Sequence, residues 1–220
     1  MNKWSPQCTI LNMRKKLVVA SILLCLMNSS LASAEVNDFE DPRLTLSTVE
    51  TDWSIKTDKT ERPQVGASVA TLLKTEDELQ FQGTLAAIEG NEGLVGFAFI
   101  EAPVSQDLSQ YNYIEFYAKS VDPRVVYTLT LKDEQAQQDA GTLTFEQEFV
   151  VGTEWTKVKL PLSQFQARIR GRVVDSFQLD LKEVRSLSFQ INRSKQEPDS
   201  PIPLQFALDV GSQVLVTNQE

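Results

Sequence analysis

Histidine is absent from the 220 residues. That removes Ser-His-Asp and Cys-His nucleophilic sites, zinc–histidine enzymes and the imidazole pH switch together. Cysteine is scarce: Cys8 and Cys25 are the only two. Both lie in the first 34 residues, so no disulfide is expected downstream. Glycine is sparse as well, with 9 residues, and no phosphate-binding loop is spelled anywhere. The Gly-x-Ser-x-Gly elbow is missing too, because Gly66-Ala67-Ser68-Val69-Ala70 lacks the second glycine. A glycosidase needs only two carboxylates at the right separation, but 30 acidic residues guarantee such pairs by chance. No enzyme is expected from these residues.

The one long apolar run is Leu17 to Met27, broken by Ser21 and Cys25. It falls short of the about 20 residues that span a bilayer. Arg14, Lys15 and Lys16 precede it, and Leu31-Ala32-Ser33-Ala34 follows before Glu35. Basic patch, greasy block and A-x-A site in that order read as a signal peptide over residues 1–34, cleaved after Ala34, with Met13 as the expected start. A periplasmic or secreted protein is expected, with no stable membrane span after cleavage. Removal takes four basic residues and no acid, leaving 17 basic and 30 acidic side chains, net −13. Nucleic acid would be repelled by such a surface. The remaining residues 35–220 read as a single domain, with about 70% of the chain's surface available for burial.

Alternation of period two runs through that part. Ile114, Phe116 and Ala118 alternate with Glu115, Tyr117 and Lys119; Tyr127, Leu129 and Leu131 with Thr128, Thr130 and Lys132. Val158, Leu160 and Leu162 stand opposite Lys157 and Lys159. Leu187, Phe189 and Ile191 alternate with Ser188, Gln190 and Asn192, and Leu204, Phe206, Leu208 and Val210 with Gln205, Ala207 and Asp209. Val95 to Ile100 is a short apolar run with Phe97 and Phe99 on one face. Such segments each have one greasy and one wet face. Turn signals at Gly90-Asn91-Glu92-Gly93, Asp122-Pro123, Gly152-Thr153 and Pro198 to Pro201 separate them. Many short strands at this spacing predict an all-β sandwich. One or two short helical turns are expected, with Leu179–Val184 and Ser105–Tyr111 as the candidate segments.

The order of several pieces is specific. Asp38-Phe39-Glu40-Asp41, the Trp53 segment, Val65-Gly66-Ala67-Ser68, and Phe81-x-Gly83 before Leu85 come first. Asp107-Leu108-Ser109 and Tyr111 to Lys119 follow, then Trp155 to Pro161, Phe165, and Arg170-Gly171-Arg172. From Asp38 to Val216 the chain resembles the complex I intermediate-associated protein 30 family. The resemblance implies a jelly-roll, galactose-binding-domain-like β-sandwich, akin to carbohydrate-binding modules. The family's first-turn Gly-Gly is here Gly66-Ala67, and its Asn-Gly-Gly-Phe element is Gly93-Leu94-Val95-Gly96-Phe97.

Three sets of residues are candidates for binding. Arg168, Arg170 and Arg172 cluster around Gly171, and guanidinium forks suit carboxylate, phosphate or sugar hydroxyls. The wet strand faces carry Tyr117, Lys119, Gln190 and Asn192, with Glu115, Thr128, Thr130, Lys132, Ser188 and Gln205 beside them if the strands are neighbours. An aromatic among amide and charged groups suits a sugar. By analogy of fold, a structural calcium could tie first strand to last through Glu40, or Asp38 and Asp41, and Asp209; no calcium-loop spacing supports it, and no cofactor is otherwise expected. The leading expectation is a non-catalytic, exported assembly-factor-like domain that contacts an envelope protein. The alternatives are a carbohydrate-binding module for envelope or extracellular glycan and, third, a glycan hydrolase or lyase. Oligomeric state is not readable.

Overall fold

The computed structural model describes residues 43–86, 96–139, 142–197 and 203–218. The alternating segments are strands, and they pair antiparallel into two sheets laid face to face. The first sheet runs β3 (Val69–Lys74), β4 (Glu78–Leu85), β13 (Leu204–Thr217), β6 (Tyr113–Ser120), β9 (Thr156–Pro161), with β1 (Leu44–Ser47) also paired to β13. The second runs β11 (Arg172–Val173), β10 (Gln166–Ile169), β8 (Leu143–Phe149), β7 (Tyr127–Asp133), β12 (Val184–Asn192), β5 (Phe97–Gln106), β2 (Ser54–Thr57). This is the all-β sandwich expected from the alternation. These residues all belong to one compact unit, Phe39–Glu220.

The greasy faces meet between the sheets. Phe81, Phe116, Leu129, Phe189, Ile191, Phe206 and Leu208 are all buried there. Phe116 of the first sheet meets Phe189 of the second edge-on, with ring centroids 5.2 Å apart, and Phe149 packs on both. Each such side chain contributes about 1.5–3 kcal/mol by leaving water. The Tyr127 side chain carries a polar group across the core. The Tyr127 hydroxyl lies 3.0 Å from Ser120 Oγ and donates to the Ala207 carbonyl at 3.0 Å. Burial, partly offset by these two bonds, pushes its phenol well above the ordinary value. A smaller cluster of Ala136, Leu143, Phe145 and Ala167 lies at one end, covered by Phe165, Ile169 and Phe177.

Helix is scarce, as expected, but its places differ in part. A 3-10 turn at Leu181–Glu183 falls inside the expected Leu179–Val184 segment. The turn expected at Ser105–Tyr111 is not helical: β5 continues to Gln106, and Asp107 accepts the Ser109 N–H to form a bend. Two short helices, α1 (Asp58–Glu61) and α2 (Glu134–Gln138), have no counterpart among the expected turns. Thr57 caps α1 through a reciprocal pair of bonds with Thr60, and Asp133 caps α2 through the Ala136 N–H. The turns expected at Gly90–Gly93 and Pro198–Pro201, and the opening strand at Asp38–Asp41, lie outside the described residues. Among the described residues no helix is long and apolar enough to cross a membrane.

The Val65-Gly66-Ala67-Ser68 turn is built on Asp58. That fully buried carboxylate accepts the N–H groups of Ala67, at 3.2 Å, and Ser68, at 3.0 Å. The chain folds so close that a Cβ on Gly66 would lie 2.2 Å from the Asp58 carbonyl oxygen. Gly66→Ala should therefore lower stability by about 1–3 kcal/mol, the range for overpacking. The shift in the urea midpoint measures it, and an unchanged midpoint would mean the turn relaxes freely.

Candidate functional site

Strand alternation that sends Phe189, Leu129 and Ile100 inward sends their neighbours out on the far side of the second sheet. Register then lines those neighbours up in rows. One row reads Lys56, Phe99, Gln190, Thr128, Glu148 across β2, β5, β12, β7 and β8. The next reads Ser54, Glu101, Ser188, Thr130, Glu146, Gln166 and reaches β10. A groove of about 590 Å³ lies over these rows.

Its floor is polar and buried. Thr130 and Ser188 are 2% and 3% exposed, and the Thr130 hydroxyl has no hydrogen-bond partner among the described residues. A buried hydroxyl without a partner is costly to the fold. Gln190, one step away on β12, also has a side-chain amide with no such partner, though it can donate twice and accept. Along one side Phe97 and Phe99 stand 6.0 Å apart with planes 24° from parallel. Arg62 lies over Phe97 and Lys56 over Phe99, at 5.7 and 5.8 Å.

Ion pairs stiffen this face. Glu101 accepts from Lys132 at 2.6 Å and from Ser186 Oγ at 3.0 Å, with Lys56 at 4.0 Å. Burial alone would raise its carboxyl, but the Lys132 bond and charge, with Ser186 and Lys56, outweigh it and hold the pKa below the ordinary 4.5. Glu146 pairs with Arg168 at 3.4 Å and Lys195 at 3.5 Å; Glu148 pairs with the same two cations. A depressed carboxyl gives stability that is present above the unfolded value and is lost as pH falls through the folded one. Unfolding free energy should thus decline as pH drops below 4.5, and Lys132→Met should make that decline shallower. Glu115, held low on the other sheet by Lys157 and Lys159 against its burial, keeps its own share. Urea titrations at stepped pH measure the slope; an unaltered slope in the variant would remove Glu101 as its source.

Alternation alone allows Tyr117, Lys119, Gln190 and Asn192 to share one wet face, and the strand order corrects this: they lie on two. Gln190 and Asn192 line the groove. Tyr117 and Lys119 sit on β6, on the outer face of the opposite sheet, so the four cannot form one sugar platform. Lys119 pairs with Asp209 at 3.3 Å and lies 4.6 Å from the Trp155 ring. Asn192 is partly occupied, since its Oδ1 accepts from the Ser194 N–H and hydroxyl. The arginine trio also separates. Arg168 faces the groove side but is tied to Glu146 and Glu148, and it donates to the Gly171 carbonyl at 3.0 Å. Arg170 and Gly171 form a two-residue hairpin turn with φ of 50° and 79°, and both line the groove. Arg172 is exposed and stands opposite Ile169 across that hairpin. Asp209 is engaged by Lys119, while Glu40, Asp38 and Asp41 lie outside the described residues; among those described, no three metal-ligating side chains come together.

Two features of the groove leave little mark in the sequence. Arg62 follows a one-turn helix and has no local signal. The Phe97–Ile100 run is apolar on both faces, so nothing in it says that Ala98 and Ile100 go inward and the two phenylalanines out.

Two facing antiparallel sheets with an open groove on the outer face of one define a β-sandwich binding domain. The family model described as complex I intermediate-associated protein 30 matches residues 38–208, and the chain belongs to that family. No curated protein matches it. The fold is similar to solved structures. One is a family 11 carbohydrate-binding module from Clostridium thermocellum in complex with a β-1,3-1,4-mixed-linked tetrasaccharide, 17% identical, covering 84% of this chain and 95% of that one, with a TM-score of 0.50. An agarase is 10% identical over 80% of this chain and 25% of its own, also at 0.50. A family 30 module of a Clostridium thermocellum cellulosomal cellulase is 16% identical over 80% and 99%, at 0.47.

Proposed function

We propose that the groove on the seven-stranded sheet binds a glycan. The observation that carries this reading is that the Gln190 amide and the Thr130 hydroxyl, both without a hydrogen-bond partner among the described residues, line the groove beside the stacked Phe97 and Phe99. Sugars present hydroxyls that exchange hydrogen bonds with such groups and C–H faces that rest on aromatic rings. The tetrasaccharide carried by the similar family 11 module agrees with it. Glu101 and Glu146 are each held by cations, which suits binding rather than acid–base catalysis. The leader's pattern supports export of the module; the exported form should begin at Glu35, as N-terminal sequencing would show.

The test is Thr130→Val, which keeps the shape and removes the hydroxyl. Stability should stay within about 0.5 kcal/mol or rise, because an unpaired buried polar group is lost. Retention on a glycan array should fall. A clear stability loss with retention unchanged would make the hydroxyl structural and end the reading.

A protein partner is a second reading, and one observation favours it. On the other sheet Tyr117 and Trp155, 55% and 42% exposed, flank a hollow of about 420 Å³ floored by Gly211. The family's name ties it to an intermediate of complex I. Loss of partner capture from the envelope fraction on replacing Tyr117 and Trp155 with Ala would support this reading.

A further inference from the structure

We propose that the glycan of this groove is anionic, bearing carboxylate or sulfate groups that Arg62 and Arg170 receive. This rests on the glycan reading above and narrows it to a ligand class. The chain is acidic overall, with 30 Asp and Glu against 21 Lys and Arg. The groove lining inverts that balance: Arg62, Lys132 and Arg170 face Glu146 as its one carboxylate.

The cations of this face fall into two sets. Lys56, Lys132, Arg168 and Lys195 are each engaged by Glu101, Glu146 or Glu148. Arg62 and Arg170 have no carboxylate partner among the described residues. Each is instead positioned by other means. Arg62 rests on the Phe97 ring. Arg170 sits at the tip of the β10–β11 hairpin at positive φ, its N–H donating to the Thr142 carbonyl at 3.2 Å. A non-glycine residue in that region is uncommon and is held there by its surroundings.

The two lie toward opposite edges of the sheet. Arg62 follows the helix that leaves edge strand β2, and Arg170 precedes edge strand β11. A chain laid across the strands passes Phe97 and Phe99, Gln190, Ser188 and Thr130 between them. A guanidinium offers a planar fork that matches carboxylate or sulfate oxygens with two bonds. Neutral sugar would leave both forks with water alone.

Isothermal titration against four probes tests this: polygalacturonate for carboxylate, dextran sulfate for sulfate, mixed-linkage β-glucan as neutral sugar, and poly-glutamate as an acidic peptide. One of the two anionic polysaccharides should bind at least about tenfold more tightly than the neutral glucan, since hydrogen bonds to charged groups are the stronger kind. Added salt should weaken that binding. The pair Arg62→Ala and Arg170→Ala should lower it at least about tenfold. Arg172→Ala, an exposed cation outside the groove, should leave it unchanged. Arg62→Lys with Arg170→Lys keeps the charge, loses the fork and should show a partial loss, with melting curves confirming that each variant folds. Neutral glucan binding as well as the acidic ones would overturn the anionic inference and leave the groove reading standing. No polysaccharide binding at all would overturn both. Poly-glutamate binding as tightly, or anionic binding that survives loss of both arginines, would overturn the inference in favour of an acidic polypeptide or of charge elsewhere.

Discussion

Phe189→Ala should cost about 3–5 kcal/mol of folding free energy, the range for removing a large aromatic from a close-packed core. Phe189 is fully buried at the middle of β12, and its ring joins the two sheets. It meets Phe116 at 5.2 Å, Trp53 at 5.8 Å and Phe149 at 6.4 Å, so truncation opens a hole with aromatic walls on three sides. Rings of that size cannot collapse into the space without leaving their own rotamers, which places the cost toward the upper end. Trp53 is also tied down by its indole N–H, which donates to the Thr48 carbonyl at 2.7 Å. No cysteine lies among the described residues, so no disulfide within them offsets the loss. Urea unfolding measures the effect; a change below about 1 kcal/mol would mean that the sheets close over the gap.

Gln190→Trp should abolish glycan binding and leave the fold intact. The side chain points away from the core at the centre of its row, between Phe99 and Thr128, so the added ring stands in the groove rather than in the sandwich. Outward substitutions of this kind change stability by about 0.5 kcal/mol or less. Gln190→Ala should be milder, because it removes one set of hydrogen bonds worth about 1 kcal/mol and blocks nothing. Equal binding by wild type and the Trp variant would mean that the ligand lies elsewhere.

Much of this sandwich is legible in the alternation. Phe116, Leu129, Phe189 and Phe206 are buried where period two puts them, because a strand's own pattern decides which of its faces is greasy. Which sheet a strand joins is decided by distant pairing and leaves no local mark. Tyr117 and Gln190 each sit on a wet face, and only the strand order shows that the two faces are opposite sides of the molecule. The arginine loop is legible as a basic feature. That Arg168 is tied to Glu146 while Arg170 is not depends on which strand β10 meets, and that strand is β8. The helix α2 does carry a signal, Asp133 as a cap ahead of Glu134-Gln135-Ala136, but it is short beside the strand pattern that runs into it.

The central claim is that ligand contacts fall on the outer face of the seven-stranded sheet. The most direct measurement is a backbone NMR titration with a soluble oligosaccharide of the polysaccharide that binds. The amides of Phe99, Thr130, Ser188, Gln190 and Arg170 should shift together and saturate with one affinity. Shifts confined to Tyr117, Lys119, Trp155 and Gly211, with the groove residues still, would contradict the account.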